Sequence, residues 1–202
     1  MVGNEKIEET NSFKMLGFMV DNNLSNEEHC QYIIKKSRKT LSAIKRLSFR
    51  VTKESATQVL SSVLMGRIAY AGFLYLQNKK QRKKIEIVIM KAVRIIAKKK
   101  LTDKVRNSIL LKTLNLTPIE TIYKRQTVLE MSKWSDKWDM LFQKMSAITR
   151  GGQQNKFRPF GRKHRTKISF LSNMVAIWNT VSHQINEESV KKRKNQIKKV
   201  FQ

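Results

Sequence analysis

A single cysteine, Cys30, stands in 202 residues, so no disulfide forms within the chain and a reducing compartment is expected. Proline occurs twice and glycine seven times. That is too seldom for a fold of many tight turns, and it favours long helices with few breaks. No apolar run approaches the roughly 18 residues that a membrane span needs. The segment Met1 to Glu9 is acidic and polar rather than signal-like. The expected location is therefore intracellular, in cytoplasm or nucleus, not secreted, and without a membrane partner. Most depleted are the acids, with fifteen Asp and Glu against 42 Lys and Arg.

The resulting net charge of +27 is far beyond the magnitude of about 2 to 8 that keeps a small domain soluble. It is not confined to a tail. From His29 to Leu101 there are nineteen basic residues and two acids, Glu54 and Glu86, in a stretch with an apolar helical pattern. Like charge at that density repels itself unless an anion lies against it, and a nucleic-acid backbone has the matching length and charge density. With 40% apolar residues the chain also has enough material for a packed core.

The pattern predicts a mainly α protein, a helical bundle with a small N-terminal β-hairpin. Phe13 to Asp21 reads as a short strand after the turn-like Thr10-Asn11-Ser12, with Val2 to Glu8 as its expected hairpin partner. Ser25 and Glu28 have capping-box spacing. Ile33, Ser37, Leu41, Ile44 and Leu47 then share one helical stripe. A second helix is expected from Thr52, with Ala56, Val59, Leu60, Val63 and Leu64 inward and a loosening at Gly66. A softer helical segment, Ile68 to Gln77, follows, and then a third helix over Ile85, Val88, Ile89, Ala92, Val93 and Ile96. Thr102 is the expected cap of a short helix containing Val105, Ile109, Leu110 and Leu114. Thr117-Pro118 opens another, expected to run to about Met145 through Trp134 and Trp138. Thr149 to Lys167 holds Gly151, Gly152, Pro159 and Gly161 with seven basic residues and no acid, which reads as a basic linker. Ser169 caps a last packed helix over Phe170, Met174, Ile177, Trp178 and Val181, before a Lys-rich tail. The segments expected are thus 1–24 (hairpin), 25–148 (basic helical domain), 149–168 (linker) and 169–202 (helix and tail).

Catalytic chemistry is hard to place in these residues. Two-metal phosphoryl transfer needs carboxylates that hold ions about 3.5–4 Å apart. Asp136 and Asp139 lie one turn apart with Lys137 between them and read as an exposed helix face. Glu27 and Glu28 open a helix, where the dipole favours acids. His29, Cys30, His164 and His183 do not make a zinc set. No cofactor and no metal are expected in this chain. The binding candidates are Lys35, Lys36 and Lys39 on one helix and Lys79, Lys80, Lys83 and Lys84 on another, read as bordering one groove. Arg125, Arg158, Arg162, Lys163 and Arg165 extend the basic surface. Trp134, Trp138 and Trp178 suit a core, whereas Phe157 and Phe160 suit base stacking.

The order of several segments resembles the region that follows the catalytic palm in reverse transcriptases of non-LTR retrotransposons. Lys14-Met15-Leu16-Gly17-Phe18-Met19-Val20-Asp21 looks like the family's K-x-L-G-x-x-x-D primer grip, followed by a Lys-rich helix like the start of the thumb. Tyr70-Ala71-Gly72 with Tyr75 looks like the Y-G…W segment. Ile85 to Ile96 with Arg94 looks like the Q-x-x-x-R-x-I helix, and Phe170 with Trp178-Asn179 looks like the closing F-F…W-N-x-L-P element. The chain departs from that pattern at Gly66, Tyr75, Met90 and Ser182, where the family often has Pro, Trp, Gln and Pro.

The resemblance implies a primer-grip-like role for Lys14, Leu16 and Gly17, and a nucleic-acid partner in the form of an RNA–DNA or DNA duplex. It also implies a finger–palm polymerase portion as a further partner. Mg²⁺ and catalytic carboxylates are expected only in a palm upstream, so the chain alone is expected to be inactive. The alternative from the residues themselves is a stand-alone basic helical RNA- or DNA-binding protein.

Overall fold

The computed structural model describes residues 10–100, 102–133, 170–181, 184–185 and 190–201. It is mainly α-helical with an antiparallel β-hairpin near the N-terminus. The packing forms two compact units, one of residues 1–71 and 78–116, the other of 72–77 and 117–202. These units cut across the segments drawn from the sequence, since the hairpin packs with the helix that follows it and the second unit opens before position 148.

In the first unit β1 (Ser12–Met15) pairs with β2 (Phe18–Asp21), in the register Ser12–Asp21, Phe13–Val20, Lys14–Met19 and Met15–Phe18. The expected single strand is thus itself a hairpin, and Val2 to Glu8, its expected partner, lies outside the described residues. The reversal sits at Leu16 and Gly17, both at positive φ (47° and 87°), as a two-residue turn matched to strand twist requires. In a hairpin of this loop length, Met19 directs its N–H away from β1.

That outer edge lies against α1 (Glu27–Leu47): the Met19 N–H donates to His29 Nδ1 at 3.2 Å, and the Phe18 ring stacks on the His29 imidazole at 3.9 Å. The capping box does not form. Asn26 occupies the cap position in the left-handed region, and Ser25 Oγ accepts instead from Glu27 N at 3.2 Å. Asp21, at the end of β2, accepts from Ser25 N at 2.8 Å and ties strand to helix. His29, Cys30, Ile33, Ser37 and Ile44 make the buried stripe of α1, while Leu47 is exposed.

Thr52 caps α2 (Lys53–Val59), its hydroxyl accepting from Ser55 N at 3.2 Å. The helix then widens into a π-helical stretch, Leu60–Met65, and continues as α3 (Gly66–Ala69). The wider turn moves the inner face onto Leu60, Leu64, Met65 and Ile68, and Val63, expected inside, is exposed. Gly66 is ordinary helix with open space where a Cβ would stand. The break comes at Tyr70–Ala71, where Ala71 has a φ of 50°.

Asn78 caps α5 (Lys79–Ile96), whose residues Ile85, Val88, Ile89, Ala92, Val93 and Ile96 are buried as the pattern predicts. α5 crosses α1 at its N-terminal turn, where Gln81 Nε2 donates to Ser25 O at 2.9 Å and Lys84 pairs with Glu27 at 2.8 Å. Thr102 lies in a turn, and α6 (Asn107–Thr113) begins later, after Arg106. The Arg94 guanidinium holds the connection. It donates to the carbonyls of Lys100, Asp103 and Val105 at 3.1 to 3.2 Å, and to Asn107 Oδ1 at 3.5 Å.

The second unit contains α4 (Gly72–Tyr75), α7 (Ile119–Lys133), α8 (Phe170–Val181) and α9 (Val190–Val200). α4, α8 and α9 each pack on α7. Val128, Met131, Met174, Val175, Trp178, Val181, Ile185 and Ile197 form its core. Ile197 is fully buried, so the segment read as a Lys-rich tail is a helix with one face in the core. Ser169, Trp134, Trp138 and the 149–168 linker lie outside the described residues. Among the described residues no helix is long and apolar enough to cross a membrane.

Candidate nucleic-acid interface

The hairpin turn is exposed, with Leu16 at 88%, and it is anchored from a distant part of the chain. The Tyr70 hydroxyl, at the end of α3, donates to the Leu16 carbonyl at 2.5 Å, and the Tyr70 ring lies beside Gly17. One helical turn earlier, Arg67 Nη1 donates to Thr40 Oγ1 at 2.6 Å and to the Lys36 carbonyl at 3.4 Å, fixing α3 to α1.

Tyr32 completes the group. Lys14 from β1 and Lys36 from α1 each place Nζ 5.5 Å from the centre of its ring, inside the range of cation–π attraction. Partial burial raises the Tyr32 phenol, but the hydrogen-bonding and charge of Lys14 and Lys36 outweigh it and hold the phenol below its ordinary range. Lys14, Leu16 and Gly17 therefore share one surface of the first unit with Tyr32, Lys36, Arg67 and Tyr70.

The other lysines are distributed differently. At about 100° per residue, Lys35, Lys36 and Lys39 stand about 140°, 120° and 180° around α1 from Cys30, whose Sγ faces the Gln81 carbonyl of α5. They point away from the α5 contact, so the single groove expected between the two lysine sets does not form. On α5, Lys79, Lys80, Lys83 and Lys84 are all exposed, but Lys84 is paired with Glu27. That pair raises the Lys84 ammonium and lowers the Glu27 carboxyl from their ordinary values, chiefly through the shared hydrogen bond. Arg158, Arg162, Lys163 and Arg165 lie outside the described residues, as do Phe157, Phe160, Asp136 and Asp139.

His29 and Cys30 are structural. Burial pushes the His29 imidazole down to about 4, so near neutral pH it is uncharged and Nδ1 accepts the Met19 N–H. Burial, first, and Glu27 outweigh the opposing Lys84 charge and push the Cys30 thiol up to about 11, which leaves little thiolate as a nucleophile. Among the described residues no three or more His, Cys, Asp and Glu gather as metal ligands.

Tyr32 and Arg67 escaped the sequence reading. Lys36 lies one turn from Tyr32, a spacing too common on a helix to mark a site, and the other partners are 18 to 31 positions away. Compared with protein-family models, with curated proteins and with solved structures, the chain matches none.

Proposed function

We propose that the first unit grips a nucleic-acid duplex as the thumb-side, primer-grip region of a retroelement reverse transcriptase does, with phosphate contacts supplying the affinity. The observation that carries this reading is the exposed Leu16–Gly17 turn, anchored by Tyr70 and bordered by Lys14, Lys36 and Arg67. A turn of this kind brings main chain close to a strand end, while the cations beside it meet phosphates. Phosphate contacts position a duplex without reading its sequence.

The test is binding of the purified chain to unrelated duplexes as a function of salt. If about six to eight phosphates are neutralised, log affinity falls against log salt with a slope of roughly −5 to −7, alike for each sequence. A slope near zero refutes the reading. Supplying a finger–palm polymerase portion in trans separates the two nucleic-acid readings: restored primer extension supports the thumb, and duplex binding without it supports a stand-alone binding protein.

A further inference from the structure

The junction of hairpin and α1 gathers two cations at one exposed face without a carboxylate among the described residues to neutralise them. Two ammonium groups from different elements, Lys14 and Lys36, converge on one ring, each 5.5 Å from its centre. Neither is ion-paired with a carboxylate among the described residues, unlike Lys84, which meets Glu27 at 2.8 Å. In water two such charges repel by less than about 1 kcal/mol, which two exposed cation–π contacts of about 0.5–1 kcal/mol each can hold in place. An anion at this ring would be attracted by both charges. The Tyr32 hydroxyl oxygen accepts from Lys14 and Lys36, and its own O–H is left to donate to a phosphate oxygen.

The surroundings make the node a rigid one. Lys36 is on the helix to which Arg67 is bonded through Thr40 Oγ1 and the Lys36 carbonyl. Lys14 is on the strand leading into the turn that Tyr70 holds. The β2 edge is fixed to α1 by Met19 and His29. The two cations thus come from elements tied directly through Met19 and His29 and indirectly through α3, so little backbone ordering is left to be done on binding.

We infer that Lys14, Tyr32 and Lys36 form a discrete phosphate-binding node, which takes one phosphodiester of a nucleic-acid strand next to the Leu16–Gly17 turn. The inference rests on the proposed duplex grip and makes it specific. One phosphate position contributes more than the diffuse charge of the chain, and it sets the distance between the strand and the turn.

The test uses the full chain with two double variants, Lys14→Gln/Lys36→Gln at the node and Lys104→Gln/Lys112→Gln as a charge-matched control on exposed positions elsewhere in the first unit. With a labelled 20-base-pair duplex, the node variant is expected to lose about tenfold in affinity and to flatten the salt slope by about 0.9, the value for one phosphate. The control is expected to lose less than about threefold. Equal losses in both variants overturn the node while leaving the duplex grip standing.

A second measurement follows the Tyr32 ring resonances by NMR on adding inorganic phosphate or duplex. A shift with both, abolished in the node variant, shows that the phosphate group itself is recognised. A shift with duplex alone shows that the node requires the polymer. If neither moves Tyr32, the node is refuted. If the wild-type chain binds no duplex but inorganic phosphate still moves Tyr32, the grip falls and a free-phosphate site replaces it.

Discussion

The hydroxyl of Tyr70 donates to the carbonyl of Leu16 across 54 positions of sequence, at 2.5 Å. The tip of the hairpin is thereby held by the far end of a helix that begins after α1 and a loop. Tyr70→Phe keeps the ring beside Gly17 and removes only the bond. The expected cost is at the lower end of about 0.5–1.5 kcal/mol, since the site is exposed, with faster hydrogen exchange in β1 and β2. Unchanged exchange in the hairpin would show that the Tyr70 bond does not hold it.

Gly17 has a φ of 87° with its nearest non-neighbour atoms 3.8 Å from an added Cβ. Room is therefore available, and the cost of Gly17→Val is conformational, about 1–3 kcal/mol for a branched residue in that region. Gly17→Asn, which tolerates left-handed backbone, is expected to fall between the two. If Val and Asn destabilise equally in urea unfolding, the backbone explanation fails.

Acid is expected to loosen the hairpin through His29. Its imidazole is pushed down to about 4 in the folded chain, against about 6.5 when unfolded. The unfolded chain therefore binds more protons in between. The stabilisation is complete above about pH 6.5, declines as pH falls, and is gone below about pH 4. Urea midpoints of the parent and His29→Leu, measured across this interval, should converge as pH falls. Parallel curves would remove His29 as the cause.

Lys84 is already neutralised by Glu27, whereas Lys79, Lys80 and Lys83 form no ion pair among the described residues. On the duplex-grip reading, replacing those three by Gln flattens the salt dependence of binding, and Lys84→Gln leaves it nearly unchanged. Helicity should hold in both, because Gln and Lys are similar helix formers. A Lys84→Gln effect as large as that of the triple variant, per charge removed, contradicts this division.

Ile197→Ala tests whether the Lys-rich C-terminal segment belongs to a core. The side chain is fully buried with Met131, Trp178 and Val181, so truncation is expected to cost about 2–5 kcal/mol. Trp178→Ala, in the same cluster, is expected to cost about 3–5 kcal/mol. Parental melting behaviour in Ile197→Ala would return the segment to the status of a tail.

Helices with a regular apolar period were legible in the sequence. The six apolar residues of α5 and the Met174, Trp178 and Val181 side of α8 are buried where a 3.6-residue period places them. Where one residue changes the period, the reading drifted: the π-helical stretch turned Val63 outward and brought in Met65. The hairpin was visible as a β signal, but Leu at the first turn position hid the reversal, because Asn or Asp is the usual marker there. The candidate site was half legible. Lys14, Leu16, Gly17 and Lys36 are marked by charge and motif, whereas Tyr32 and Arg67 acquire meaning only when distant elements meet.

The π-helical stretch Leu60–Met65 has an evolutionary consequence. It holds roughly one residue more than an α-helix needs over the same rise. Deleting a single codon there would regularise the helix and leave its length nearly intact. Because the wider turn absorbs that residue, Arg67 and Tyr70 would keep their bearing on Thr40 and Leu16. The same deletion from the regular α2 would swing both by about 100°. Loss of one residue should therefore be tolerated within the π-helical stretch, yet purged from α2 wherever the turn has work to perform.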